Sequence, residues 1–308
     1  MGRKNFSFSS KDGLSIFTRA YFPQSGEGKA IVQIAHGMAE HGKRYERFAE
    51  YLNAHGFIVY VNDHRGHGRS CLDPRCQGYM GDSDGFLLLI EDMAKLAKMI
   101  RKEHPSLPLF LFGHSMGSFA SQRFLMDYPK LLDGLILSGS NGSQGFILSI
   151  GKILANLEAS LRGNKVPSKF LNALSFGSYN KAFEPSRTPF DWLTRSSYEV
   201  DQYLEDPFCG EVFPASFYRD FFESLQYIED KRNFQKIPKN KPLFLISGSM
   251  DPVGQFSKGV YELYARYKKL GLRKLSMKIY PEARHELLNE INKDVVMEDI
   301  VDFLNSYL

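Results

Sequence analysis

The chain lacks most of the features that would set it apart from an ordinary globular protein. Cysteine is scarce: Cys71, Cys76 and Cys209 are odd in number and form no C-x-x-C. That argues against a disulfide framework and predicts free thiols in a reducing compartment. No apolar run approaches the ~18 residues that a membrane span needs. The opening stretch MGRKNFSFSSKDG has charge but no apolar h-region, so it does not read as a signal peptide, and Phe6 breaks the N-myristoylation pattern. Together these absences predict a cytoplasmic protein. There is no long run of one charge either. The 39 basic and 35 acidic residues are spread along the sequence for a formal net charge of +4. That leaves no footprint for nucleic acid and allows only weak attraction to an anionic membrane surface. Repeats and low-complexity tracts are missing as well.

What is present is a chain of 308 residues, 43% hydrophobic and 24% charged, long enough for one large core or for a core with a modest insertion. It is organised around LPLFLFGHSMGSFASQRFL, residues 107–125. Leu109 to Phe112 read as a strand buried on both faces, and Met116 to Asp127 as a helix. Between them lies Gly113-His114-Ser115-Met116-Gly117, a G-x-S-x-G turn. A strand that turns into a helix this sharply forces Ser115 into a strained conformation, and glycine on both flanks removes side chains that would collide with strand and helix. The strain holds the hydroxyl out at the carboxyl end of a sheet, with a helix N-terminus behind it to favour negative charge. This is the pattern of a nucleophile elbow.

Residues 5–22 alternate as two strands about a turn at Lys11-Asp12-Gly13. AIVQIAHG (30–37), FIVYVNDH, LDGLILSGS (132–140), PLFLISGS and KLSMKIYP read as further strands. Helical spacing over GKRYERFAEYLNAHG, 86–103, KGVYELYARYKKLG and 292–307 alternates with them. That alternation predicts an α/β fold with a mostly parallel, doubly wound sheet of about eight strands. It breaks between 141 and 215, where QGFILSIGKILANLEASLRG is an amphipathic helix and the only tryptophan, Trp192, occurs. The expected organisation is a core of residues 1–140 and 216–308 with a helical cap, 141–215, over the carboxyl ends of the strands. The apolar face at Phe146, Ile147, Ile150 and Leu154 either packs on the core or docks on lipid.

A serine hydroxyl is a weak nucleophile at neutral pH and needs a base that a third group orients. In this fold class the partners follow in the order Ser, Asp or Glu, His, each in a loop after a strand. Asp251, in SGSMDPVG, and His285, in PEARHELLNE, fit as carboxylate orienter and as general base then acid. The oxyanion of the tetrahedral intermediate needs preorganised N–H donors. Met116, after the nucleophile, supplies one, and Met38, in the loop His36-Gly37-Met38 after the first buried strand, the other. His64 and His67 beside Asp63 show no further metal-ligand spacing, so that segment reads as a structural loop and no metal or cofactor is expected. A carboxylate nucleophile of dehalogenase or epoxide hydrolase type is excluded by Ser115.

The motifs HGMAEHGKRY, NDHRGHGRS, FLFGHSMGS, SGSMDPVG and RHELLNE, with DWLTRSSYEVDQYLEDPFCG between them, resemble the monoglyceride lipase and lysophospholipase family of α/β hydrolases, also grouped as serine aminopeptidase-like S33 enzymes. The resemblance covers about residues 12–305. It implies Ser115, Asp251 and His285 as triad and Met38 and Met116 as oxyanion donors. It also implies an apolar acyl tunnel under the cap, which in some members rests on membranes. In the lipases a polar pocket holds the glycerol end of the substrate, and the matching positions are Glu40, Arg44 and Tyr203. A further histidine of the animal enzymes is Leu288 here, which loosens the transfer of strict monoacylglycerol preference. The expected activity is hydrolysis of fatty-acyl esters, monoacylglycerol or lysophospholipid, through an acyl-enzyme. A short-chain carboxylesterase, an acyltransferase, or a sensing protein that turns over little are the rivals. Glu158, Glu184, Glu199 and Glu205 are too scattered in sequence to capture the free amine of a peptide.

Overall fold

Gly2–Ser9 (β1) and Ser15–Phe22 (β2) form the hairpin expected from the alternating start of the chain, turning at Gly13 with φ +86°. The longer apolar runs that follow become strands in which every residue is buried: Ala30–Ala35 (β3), Phe57–Asn62 (β4), Leu109–His114 (β5), Gly134–Ser138 (β6) and Leu243–Gly248 (β7). Burial on both faces is why these strands read as continuous apolar runs rather than as alternating ones. Leu275–Tyr280 (β8), predicted as a similar strand, is mostly half-buried because it closes one edge. The computed structural model describes every residue except Met1, Leu72, Pro74 and Arg75.

The eight strands form one sheet in the order β1-β2-β4-β3-β5-β6-β7-β8. The first two pairings are antiparallel, and from β4 to β8 the sheet is parallel, which bears out the doubly wound sheet. Successive side chains of a strand face opposite layers. Leu109 and Leu111 of β5 enter one core, which also holds residues of Gly85–Glu103, Met116–Asp127, Ala215–Glu229 and Lys258–Leu270. Phe110 and Phe112 enter the other, with residues of Glu46–Ala54 and Lys293–Asn305. In chain order these helices are α1 (Glu46–Ala54), α2 (Gly85–Glu103), α3 (Met116–Asp127), α4 (Ile147–Arg162), α5 (Lys169–Phe176), α6 (Ser197–Glu205), α7 (Ala215–Glu229), α8 (Lys231–Phe234), α9 (Lys258–Leu270) and α10 (Lys293–Asn305). The result is three layers, with helices on both faces of the sheet.

The chain leaves β3 toward β4 on one side, while β5, on the other side of β3, leads on toward β6. A crevice therefore opens at the carboxyl ends of β3 and β5, where such sheets place their ligands. Residues 141–215 contain α4, α5 and α6 and no strand of the sheet. α4 packs along α7, closely enough that a side chain at Gly151 would meet the Phe222 ring at 2.9 Å, and α7 also packs on α2 and α3. The apolar face of α4 divides between the two roles open to it. Leu154 packs against the core, whereas Phe146, Ile147, Ile150, Ile153, Leu157 and Leu161 are exposed. Among the described residues no helix is long and apolar enough to cross a membrane.

Candidate active site

Ser115 sits at the turn from β5 into α3 with φ 52° and ψ −120°, a left-handed conformation that costs a residue with a side chain on the order of 1–3 kcal/mol. The surroundings hold it there. Its N–H donates to the Ser138 carbonyl of β6 at 2.9 Å, and its carbonyl accepts from the Ser118 hydroxyl at 2.7 Å. The flanking glycines act as the motif predicted. A Cβ on Gly117 would lie 2.1 Å from the Ala35 carbonyl oxygen at the end of β3, and one on Gly113 would lie 2.5 Å from the Gly117 carbonyl oxygen. β3 and α3 can approach this closely only around hydrogen atoms.

Asp251 and His285 follow β7 and β8, as expected, and both are buried. His285 Nδ1 lies 3.0 Å from Asp251 Oδ1, which also accepts the Val253 N–H at 2.9 Å. Asp251 thus both caps its own turn and orients the imidazole, leaving Nε2 as the ring nitrogen free to handle a proton. Burial alone would push the His285 pKa down, but the charge and hydrogen bond of Asp251, with Glu286 and Glu40 nearby, carry it above the ordinary histidine value. Two rings flank it: His114 at 4.7 Å and Trp192 at 5.1 Å between centroids. Burial holds His114 down at about 4, so it stays neutral beside His285.

Ser115 and His285 line one cavity of about 310 Å³. Its floor is the loop Gly37–Glu40, and Phe176, Phe190, Trp192 and Leu193 of the 141–215 segment form much of its wall. Apolar walls with a few convergent polar groups make a site for a largely apolar ligand. Among the described residues, nothing accepts the N–H of Met38 or of Met116. Met116 opens α3, whose first N–H groups are unpaired by geometry. The Met38 loop is tied down around it: Glu40 Oε1 accepts the Gly37 N–H at 2.5 Å, and the Ala39 carbonyl accepts from the Tyr203 hydroxyl and the Gly210 N–H, both at 3.0 Å. His36 shapes the same loop, with Nδ1 2.7 Å from the Gly37 carbonyl and Nε2 accepting the His64 N–H at 2.9 Å.

The three residues matched to a glycerol pocket separate. Glu40 and Tyr203 line the cavity, but Arg44 does not. Its guanidinium lies behind Glu40 and pairs with Glu40 and Glu286. Glu40 and Arg44, four residues apart, form a buried ion pair. Glu286 and Trp192 stand in quoted motifs that the sequence left without a role. His64 and His67 stay in a structural loop, where Asp63 pairs with Arg19 and accepts the N–H groups of Gly42 and Arg69. His41, Asp206 and Cys209 are the one group among the described residues close enough to share a metal ion. Both His41 nitrogens are engaged, by Asp206 and by the Lys43 N–H, and burial pushes the Cys209 thiol up, so this group is a hydrogen-bonded cluster with an inert thiol.

Residues 26–292 match the family model described as serine aminopeptidase, S33. The chain belongs to that family. Among S33 relatives, mouse monoglyceride lipase is 28% identical over 96% of this chain and 88% of its own. The monoacylglycerol lipase of Mycolicibacterium smegmatis is 26% identical over 99% and 98%. Among solved structures, a thermostable carboxyl esterase from Bacillus coagulans in complex with glycerol superimposes with a TM-score of 0.91 at 31% identity, covering 100% of this chain and 99% of that one. The S33 sheet with its serine elbow is therefore the α/β-hydrolase fold, as the elbow and the family resemblance imply.

Proposed function

We propose that the protein is a serine hydrolase of fatty-acyl esters, monoacylglycerol foremost, with Ser115 as nucleophile, His285 as general base and acid, and Asp251 as orienter. The observation that carries this reading is the shared cavity: a strained serine and a buried histidine face one apolar space, and the histidine is hydrogen-bonded to a buried carboxylate. Ser115 attacks the ester carbonyl as His285 Nε2 takes its proton. The N–H groups of Met38 and Met116 hold the oxyanion, each such donor typically contributing about 3–4 kcal/mol to lowering the barrier. His285 then protonates the leaving alcohol, and water activated by the same imidazole frees the acid. The near full-length match to monoglyceride lipases supports the glycerol ester as substrate. Glu158, Glu184, Glu199 and Glu205 all stand outside the cavity, and of the glutamates that line it Glu40 and Glu286 are paired with Arg44.

Residues 141–215 act as a lid over the site, and lipid surfaces are the partner of that lid. Phe170 and Leu174 of α5, the helix whose Asn172 and Phe176 line the cavity, are exposed as the apolar residues of α4 are. Exposed apolar residues on a helix that also lines an acyl site suit it to collect substrate from a bilayer. Three free thiols support a reducing, cytoplasmic compartment.

A second reading rests on the cavity, whose 310 Å³ lies near the lower end of ligand sites, and on the likeness to the Bacillus coagulans carboxyl esterase. It is a short-chain esterase with the same triad. One experiment separates them: p-nitrophenyl esters from acetate to palmitate, with monoacylglycerol and lysophosphatidylcholine, on the wild type and Ser115→Ala. Ser115→Ala should lose nearly all turnover and all fluorophosphonate labelling, with a residual catalysis of ~10³-fold over water from the oxyanion hole and binding. Near-wild-type turnover by Ser115→Ala would end the triad reading. A maximum at medium or long chains supports the lipase, and a maximum at acetate with no lipid turnover supports the esterase.

A further inference from the structure

We infer that Arg44 and Glu286 form a strut between the His285 loop and the oxyanion loop, positioning both for every ester the enzyme turns over. Arg44 does this from outside the cavity wall, and Glu286 from within it. The inference rests on the triad reading above. It starts from where the charges end up. Glu286 directly follows His285, its N–H donates to the Leu193 carbonyl at 2.7 Å, and both its carboxylate oxygens accept from Arg44, at 2.6 and 2.7 Å. Such a paired arrangement fixes direction as well as distance. The same Arg44 Nη1 donates to Glu40 Oε2 at 2.8 Å. The other Glu40 oxygen accepts the Gly37 N–H at 2.5 Å and the Tyr45 hydroxyl at 2.8 Å. The connection from the base to the loop that presents the Met38 N–H is thus unbroken: His285, Glu286, Arg44, Glu40, Gly37.

A group that binds glycerol must turn unspent donors or acceptors toward the cavity. Arg44 is not in the cavity wall, and its guanidinium is packed over the Tyr203 ring at 4.9 Å. Glu40 Oε1 accepts two hydrogen bonds and Oε2 accepts one from Arg44, and the Tyr203 hydroxyl donates to the Ala39 carbonyl while accepting the Gly210 N–H at 3.1 Å. Through these bonds all three residues hold the loop Gly37–Glu40. The pairs are also desolvated, with side-chain exposures of 11% for Arg44, 4% for Glu40 and 6% for Glu286. Without the guanidinium two buried carboxylates would face each other, and the two loops they belong to would move apart.

The test uses substrates that differ in head group. Arg44→Lys keeps the charge and loses the paired geometry, Arg44→Gln loses both, and Glu286→Gln keeps shape while weakening the pair. For each, kcat and KM are measured on p-nitrophenyl acetate, which has no glycerol, and on monolauroylglycerol, together with the rate of inactivation by a fluorophosphonate. The strut predicts a fall in kcat of about 10- to 100-fold on both substrates alike, KM within about threefold, and inactivation slowed in parallel, because misplacing reacting groups is felt in the transition state. Arg44→Lys should recover part of what Arg44→Gln loses. Unchanged acetate turnover with a KM for monolauroylglycerol raised tenfold or more would restore the glycerol subsite and overturn the strut. So would unchanged kinetics on both substrates in folded variants. If Arg44→Gln does not fold, Glu286→Gln and Arg44→Lys carry the same comparison. Ser115→Ala, assayed alongside, separates the layers: turnover by that variant removes the triad itself, whereas its inactivity beside unaffected strut variants removes only the strut.

Discussion

Room for the His285 imidazole depends on one missing methyl group. Gly139, just past β6, has φ +60°, and a Cβ there would stand 2.8 Å from His285 Cε1 and 3.0 Å from Nδ1. Gly139→Ala should therefore push the ring off Asp251. The expected result is a fall in kcat of about 100-fold, since a shift of ~1 Å in a reacting group is enough for that. The loss of stability in urea unfolding should be only about 1–3 kcal/mol, as for overpacking elsewhere. A variant with wild-type kcat would show that the ring has slack. At this scale the sequence was partly legible. Gly113 and Gly117 were readable because the G-x-S-x-G motif itself demands them, although only Gly113 has a collision partner, Gly117, inside it. Gly139 was not, because what it avoids is 146 residues away in sequence and only the sheet order, with β7 between β6 and β8, brings them together. Glu286 escaped for the same reason: its partner Arg44 precedes it by 242 residues.

Among the elements, the strands and the helices between them were legible because burial on both faces leaves an unmistakable apolar run, and because Gly and Pro mark the ends. The segment 141–215 yielded only the helix α4, since its remaining helices are short and their apolar residues serve a cavity and a surface as well as a core. α4 itself carries a prediction. Ile147 and Leu161 are 63% and 76% exposed and stand near its two ends, so Ile147→Glu and Leu161→Glu should leave the fold and p-nitrophenyl acetate turnover intact. If the stripe docks on lipid, the wild type should float with phosphatidylcholine–phosphatidylglycerol vesicles and the double variant should not. Equal flotation of both proteins, or none by either, would leave the stripe without that role.

For the whole molecule, the informative quantity is how stability responds to acid. Burial holds His36, His64, His67 and His114 below the ordinary histidine value, His67 at about 3 and His114 at about 4. The unfolded chain binds protons at these four sites at higher pH than the folded chain does, so below pH ~6.5 stability falls with pH, by about 1.4 kcal/mol per unit for each histidine still kept neutral. His285 works the other way. Its folded value is raised, so its contribution is present below the unfolded value and lost as pH rises through the folded one. Four sites outweigh one. Urea midpoints should drop steadily from pH 7 to pH 5. Below about pH 4.5 the drop should steepen as Glu40 and Glu286 give up the stabilisation that their lowered values represent; a midpoint flat between pH 7 and 5 would contradict this.

The His285 loop is fastened to the helical segment by more than the Leu193 carbonyl. The Thr194 hydroxyl donates to the Asn289 carbonyl at 2.9 Å, and the Arg195 guanidinium donates to Glu290 at 2.8 Å and to Asn292 at 2.9 Å. Residues 191–195 and 284–292 are thus one physical unit written in two places in the gene. A chimaera that borrows a relative's helical segment alone would inherit half a joint, so exchange between S33 enzymes should keep both halves together.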